Sequence, residues 1–164
     1  MDATVESVYF QNHGGLAFIY HNCIKLQKKL FDINISTFEY MCGLVTICHS
    51  HFVLLGVYQP ASQPLLSMFY DELSGVIVRL STNNCPVDIC GNLNEFNVYT
   101  RRPNQAVNAV QLDKLLQSFG YVQHVSEPTH NAGQTLNLAI TRSDVVVTNL
   151  YVRTMISDHA LIHF

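Results

Sequence analysis

The sequence predicts a mixed α/β domain with strands and helices in layers, and two observations carry that expectation. Apolar residues make up 48% of the 164-residue chain and charged ones 13%, against a usual charged share of about 25%. A chain with that much apolar surface is not disordered, and its length suits one domain rather than two. The hydrophobic period also switches along the chain, from alternating runs to helical spacing and back. The resulting order is β-β-β-α-β-α-β-β-β.

Each element follows from local signals. Gly14-Gly15 opens an apolar run, Leu16 to Tyr20, that reads as a strand entered through a tight turn. Phe38 to Cys48 and Phe52 to Tyr58 are β-rich runs flanking His49-Ser50-His51, which predicts a hairpin. Leu65, Phe69, Leu73, Val76 and Leu80 then recur at spacings of 4, 4, 3 and 4, the stripe of an amphipathic helix. Ser62 and Pro64 stand where its cap and first turn belong. Val87 to Gly91 reads as a buried strand ending in a glycine turn. A second helix fits Gln105 to Phe119, with Leu112, Leu115, Leu116 and Phe119 on one face, Asn104 as cap and Gly120 as stop. Tyr121-Val122, a polar loop through Pro128-Thr129-His130, a strand from Thr135 to Thr141 and β-rich runs from Val145 to Arg153 follow. Ser157-Asp158-His159 reads as a loop entering a last strand.

Charge and cysteines narrow the function classes. Nine basic against 12 acidic residues give a net charge of −3, which argues against strong nonspecific DNA affinity. The start, Met1 to Glu6, lacks a basic-then-apolar leader, and the apolar stretch Phe52 to Tyr58 is too short to span a bilayer. Five cysteines without framework spacing then suggest reduced thiols in an intracellular compartment, nuclear or cytoplasmic. Cys85 and Cys90 read as core residues, because four residues between them are too many for a CxxC pair. Cys48-His49-Ser50-His51 offers borderline ligands, but a zinc site needs more from elsewhere, so no zinc is expected there. Lys25, Lys28 and Lys29 read as a solvated basic cluster, Asp71-Glu72 as a solvated acidic pair, and Arg101-Arg102 as a contact for a DNA backbone.

Six strings, in order, carry a resemblance: Gly14 to Tyr20, Val57-Tyr58-Gln59-Pro60, Gly91-Asn92-Leu93-Asn94, Pro128-Thr129-His130 with Gly133, Thr135-Leu136-Asn137-Leu138, and Ser157-Asp158-His159. From about Gly14 to Phe164 the chain resembles the endonuclease/exonuclease/phosphatase superfamily, specifically the apurinic-type endonuclease domain of non-LTR (LINE-type) retrotransposons, which accompanies a reverse transcriptase. The resemblance implies a DNase-I-like four-layered α/β sandwich and metal-dependent hydrolysis of a DNA phosphodiester. It implies Mg²⁺ held by carboxylates, water activated by one acid, and a histidine oriented by another. It also divides the chain into an N-terminal extension, residues 1–13, and a partial domain, residues 14–164. The family's first two strands, which carry an asparagine and a metal-binding glutamate, lie upstream of the Gly-Gly string, and Glu6 is too close to it to be that ligand. The fold is therefore expected to be incomplete at the N-terminus.

Residue by residue, the resemblance makes Tyr58 a phosphate-approaching hydroxyl, Asn94 the retained asparagine, and Asp158 and His159 the retained terminal pair. Asp158 is the one metal-binding carboxylate kept. Asn92 stands where the family has its water-activating aspartate, and Asn137 where it has the aspartate that orients the histidine. An amide carries no charge and takes no proton at neutral pH. The expectation is a degenerate domain, a pseudoenzyme that holds Mg²⁺ weakly or not at all, binds DNA weakly, and has lost most or all hydrolysis. Two alternatives stand beside it. One is an active Mg²⁺-dependent endonuclease in which Asp158, Asp144, Asp88 or Glu95 replaces lost ligands. The other is a noncatalytic module that binds a protein partner or itself through uncovered apolar surface.

Overall fold

The computed structural model describes residues 3–8, 15–60, 67–93 and 103–164. The expected helix cap at Ser62 and Pro64, and also Asn94, Glu95, Arg101 and Arg102, lie outside the described residues. Among the described residues ten strands and two helices form: β1 (Ala3–Val8), β2 (Leu16–His21), β3 (Lys25–Lys29), β4 (Glu39–Ile47), β5 (Ser50–Gln59), α1 (Ser67–Ser81), β6 (Val87–Leu93), α2 (Pro103–Ser118), β7 (Tyr121–Gln123), β8 (Asn137–Arg142), β9 (Tyr151–Met155) and β10 (Ala160–His163).

A six-stranded sheet ordered β3-β4-β5-β6-β8-β7 is the frame. The expected hairpin is β4–β5, paired from Glu39↔Tyr58 to Ile47↔Ser50. Its turn falls at Cys48-His49, with Cys48 at φ 54. The chain leaves β5 through α1 and returns as β6 parallel to β5, the one parallel pair in the sheet. Residues alternate across the pleat, so Val53, Leu55, Val57, Ile89, Leu138 and Ile140 share one face. That face packs under Phe69, Leu73, Val76, Ile77 and Leu80 of α1 and Leu112 and Leu116 of α2 in one continuous core. Gly120, at φ 73, ends α2 by giving its N–H to the carbonyl of Gln117 at 3.0 Å.

The opposite face carries two antiparallel ribbons, β1–β2 and β9–β10. Phe18 of β2 packs over Gly56, where an added Cβ would lie 3.1 Å from the ring. Helices, sheet and ribbons make a layered α/β architecture, as the sequence predicts. Residues 3–8, set apart by the sequence as part of an extension, pair with β2 from Ala3↔His21 to Val8↔Leu16. Five details depart from expectation. Gly91 lies inside β6, which runs on to Leu93 rather than ending there in a glycine turn, and Asn104 lies within α2 rather than before it as a cap. Lys25 to Lys29 form β3 rather than a merely solvated cluster, with Lys29 donating to Asn83 Oδ1. Residues 145–150 are irregular and the strand begins only at Tyr151. The Asp71-Glu72 pair is not simply solvated either, because the Glu72 carboxylate accepts the backbone N–H and hydroxyl of both Ser36 and Thr37.

Those four donors tie the segment before β4 onto α1. Burial pushes the Glu72 carboxyl up, yet the bonds from Thr37 and Ser36 outweigh it and hold the group below the usual range. A depressed folded value gives stability that is present above the unfolded pKa, about 4.3, and is lost as pH falls through the folded value. Glu72→Ala should therefore cost about 1–3 kcal/mol at neutral pH. Urea unfolding of the two proteins should converge as pH drops below about 4. A difference that persists undiminished in acid would contradict this role.

Candidate functional site

The site forms where β5, β6 and β8 end together. Tyr58 of β5 pairs with Asn92 of β6, and Asn92 pairs with Asn137 of β8. On its other side Tyr58 pairs with Glu39 of β4. Paired residues on neighbouring strands project to the same face, so Glu39, Tyr58, Asn92 and Asn137 make a polar row across four strands. It lies on the face opposite the helices. The sequence reading named three of these four. It missed Glu39, although counting outward from the Cys48-His49 turn pairs that acid with Tyr58.

The loop after β7 brings the terminal motif to this row. Thr129 is fully buried, and its Oγ1 accepts the backbone N–H groups of Leu136 and Asn137, each at 2.9 Å. Its carbonyl accepts the Ala160 N–H at 2.8 Å, and Asn131 N–H donates to the Asp158 carbonyl at 2.9 Å. His130 and His159 thus face each other in an antiparallel bridge, with ring centroids 4.9 Å apart. His130 Nε2 stands 3.8 Å from Asp158 Oδ2. His130, Asp158 and His159 each offer a ligand atom, and these atoms lie within 4.8 Å of one another. In the sequence His130 stands only as the last residue of the Pro128-Thr129-His130 string. Its place beside Asp158 comes from the pairing of His130 with His159 across 29 positions, which no local pattern reveals.

The electrostatics differ along the site. Asp158 is exposed, and the Ser157 hydroxyl, donating to Oδ1 at 2.9 Å, holds its carboxyl below the ordinary range, with smaller help from His159 and His130. Glu39 is buried, and burial alone raises its carboxyl. Glu39 Oε2, Asn92 Oδ1 and His159 Nδ1 are buried atoms with no hydrogen-bond partner. Asn137 donates its Nδ2 to the Ala160 carbonyl at 3.4 Å. An ionised aspartate has no N–H and could not make that contact.

The other expected ligands fall away from this corner. Asp88 lies four residues before Asn92 on β6, about 13 Å along the strand. Asp144 is paired with Arg142, Oδ2 to Nη2 at 2.7 Å. Among the described residues, the Cys48-His49-Ser50-His51 segment joins no metal-ligating cluster. A Mg²⁺ ion takes hard oxygen donors in an octahedral shell. The gathered set is one carboxylate and two imidazoles, and it does not fit that ion.

No family model and no characterised protein sequence matches the chain. Solved structures do. The endonuclease domain of TRAS1, a telomere-specific non-LTR retrotransposon, superposes with a TM-score of 0.69 at 12% identity, covering 96% of this chain and 75% of its own. The inositol polyphosphate 5-phosphatase domain of SpSynaptojanin gives 0.58 at 12% identity, covering 99% of this chain and 62% of its own. The human Nocturnin catalytic domain gives 0.55 at 14% identity, covering 94% and 69%. The chain thus has the fold that the sequence resemblance implies.

Thr129 carries the local geometry. Thr129→Val keeps the shape but strips the acceptor from one buried and one part-buried N–H group, and should lower stability by about 2–4 kcal/mol in chemical denaturation. An unchanged midpoint would show that the hydroxyl does not organise this corner.

Proposed function

We propose that the chain is a degenerate endonuclease-like domain of retrotransposon-endonuclease type, whose hydrolysis of a DNA phosphodiester is lost or strongly reduced. The single observation that supports it most is the amide pair Asn92–Asn137, register partners in the polar row, where the resemblance expects two aspartates. Phosphodiester hydrolysis needs a group that accepts a proton from water and a charge that stabilises the crowded phosphate. Asn92 can donate or accept a hydrogen bond but cannot take up that proton. Asn137 cannot hold an imidazolium by charge. In a serine protease, the same Asp→Asn exchange behind a catalytic histidine costs roughly 10⁴ in rate. Asp158, His159 and Tyr58 retain the residue types that would meet a phosphate, so the domain keeps part of a binding surface without the base. DNA affinity is weak at a net charge of −3.

One observation favours an active enzyme instead. Glu39 brings a carboxylate to the row beside Tyr58, with an unpartnered buried oxygen. Supercoiled-plasmid nicking, with Mg²⁺ or Mn²⁺ and with EDTA, separates the two. No nicking above the EDTA control is expected. Metal-dependent nicking abolished by Asp158→Ala and His159→Ala would overturn the reading, and its loss in Glu39→Gln would name the substitute acid. No helix among the described residues is long and apolar enough to cross a membrane. The interaction-module alternative draws on the groove between β2 and the sheet, lined by Phe18, Tyr20, Leu26, Val45, Phe52 and Leu54.

A further inference from the structure

We infer that His130, Asp158 and His159 form a binding site for a borderline first-row divalent cation of the Zn²⁺ class, in place of the magnesium that this fold would suggest. The inference does not depend on whether the domain hydrolyses DNA.

Three observations carry it. The first is the donor set: two imidazoles and a carboxylate, with ligand atoms within 4.8 Å of one another. Imidazole suits zinc, copper, iron and nickel, whereas magnesium prefers oxygen throughout. Three protein ligands with positions left open to water is also the pattern of an accessible zinc site. The second is His159 Nδ1, a buried nitrogen with no hydrogen-bond partner. A buried unpaired nitrogen costs free energy that a bound cation, or a reorganised ring beside one, would recover. The third is rigidity. The two histidines are register partners in a backbone bridge, and the loop segments carrying them are pinned by Ala160 N–H to the Thr129 carbonyl at 2.8 Å and Asn131 N–H to the Asp158 carbonyl at 2.9 Å. Little ordering entropy remains to oppose binding.

One contact must give way. Ala132 N–H donates to His130 Nδ1 at 3.2 Å, which turns Nε2 toward Asp158 but also assigns Nε2 the proton. A cation on Nε2 moves that proton to Nδ1, and the exposed Ala132 N–H then turns to water. Asp158, exposed and already ionised, brings the single negative charge that a divalent ion needs at the rim.

The test uses the whole chain, freed of metal with a chelator and titrated with Zn²⁺ against a chromophoric competitor. One equivalent should bind, Co²⁺ should replace it with visible d–d absorption, and millimolar Mg²⁺ should not displace either. Asp158→Asn changes an exposed side chain and should keep the fold. That variant and His130→Ala should each weaken binding by about 10- to 100-fold or more. His49→Ala/His51→Ala should bind as the parent does. Absence of stoichiometric Zn²⁺ binding would overturn the inference. So would displacement by Mg²⁺, or affinity lost in the His49/His51 variant but kept in His130→Ala.

Discussion

The close approach of β6 to β5 at Gly91 is the constraint on which the site depends. Gly91 has φ 149, and a Cβ built there would overlap the carbonyl oxygen of Val57 and lie 2.7 Å from its carbonyl carbon. No side chain fits, and no flexible neighbour can move aside, because the obstacle is backbone. Only glycine lets the parallel pair close at that point. The next residue is Asn92, and the next register partners outward are Tyr58 and Asn137. The glycine therefore fixes which three side chains meet at the sheet end before any of them makes a contact of its own.

From that register the chemistry follows. The row carries two neutral amides at its centre, Asn92 and Asn137, with the Glu39 carboxylate on one flank and the Asp158 carboxylate in the adjoining loop. Buried Asn92 Oδ1 and Glu39 Oε2 have no donors, which is costly in a water-poor setting and uncommon in a site shaped only for stability. Burial raises the Glu39 carboxyl, whereas the Ser157 hydroxyl lowers that of exposed Asp158. The two acids are thus unlike in charge tendency as well as position. The third feature of the corner, the His130–His159 bridge, belongs to the loops rather than to the sheet. It gathers nitrogen donors where the sheet end offers mainly oxygens.

Much of the fold was legible in the sequence because it rests on local period. The stripe Phe69, Leu73, Val76 and Leu80 gave α1, the paired runs about His49 gave the β4–β5 hairpin, and Gly120 marked the end of α2. Shorter elements were harder to see. Lys25 to Lys29 alternates too few apolar residues to announce a strand, and its place at a sheet edge comes from pairing with Cys42 to Thr46. In the site, Asp158 and His159 stood out as an intact motif, and the two amides as substitutions within strings. Glu39 and His130 did not stand out, since each acquires meaning only from a register partner far away in sequence. Glu72 shows the same limit, for its four donors come from a segment 35 or 36 positions earlier.

The claim that a single glycine sets the polar row is open to direct measurement by the stability of Gly91→Ala, followed by hydrogen exchange on β5, β6 and β8. The steric overlap predicts loss of cooperative unfolding, or a large drop in its midpoint, with protection lost first at Tyr58, Asn92 and Asn137. A variant that unfolds within about 1 kcal/mol of the parent, the usual Gly-to-Ala range in an unconstrained strand, and keeps protection at those positions would contradict it.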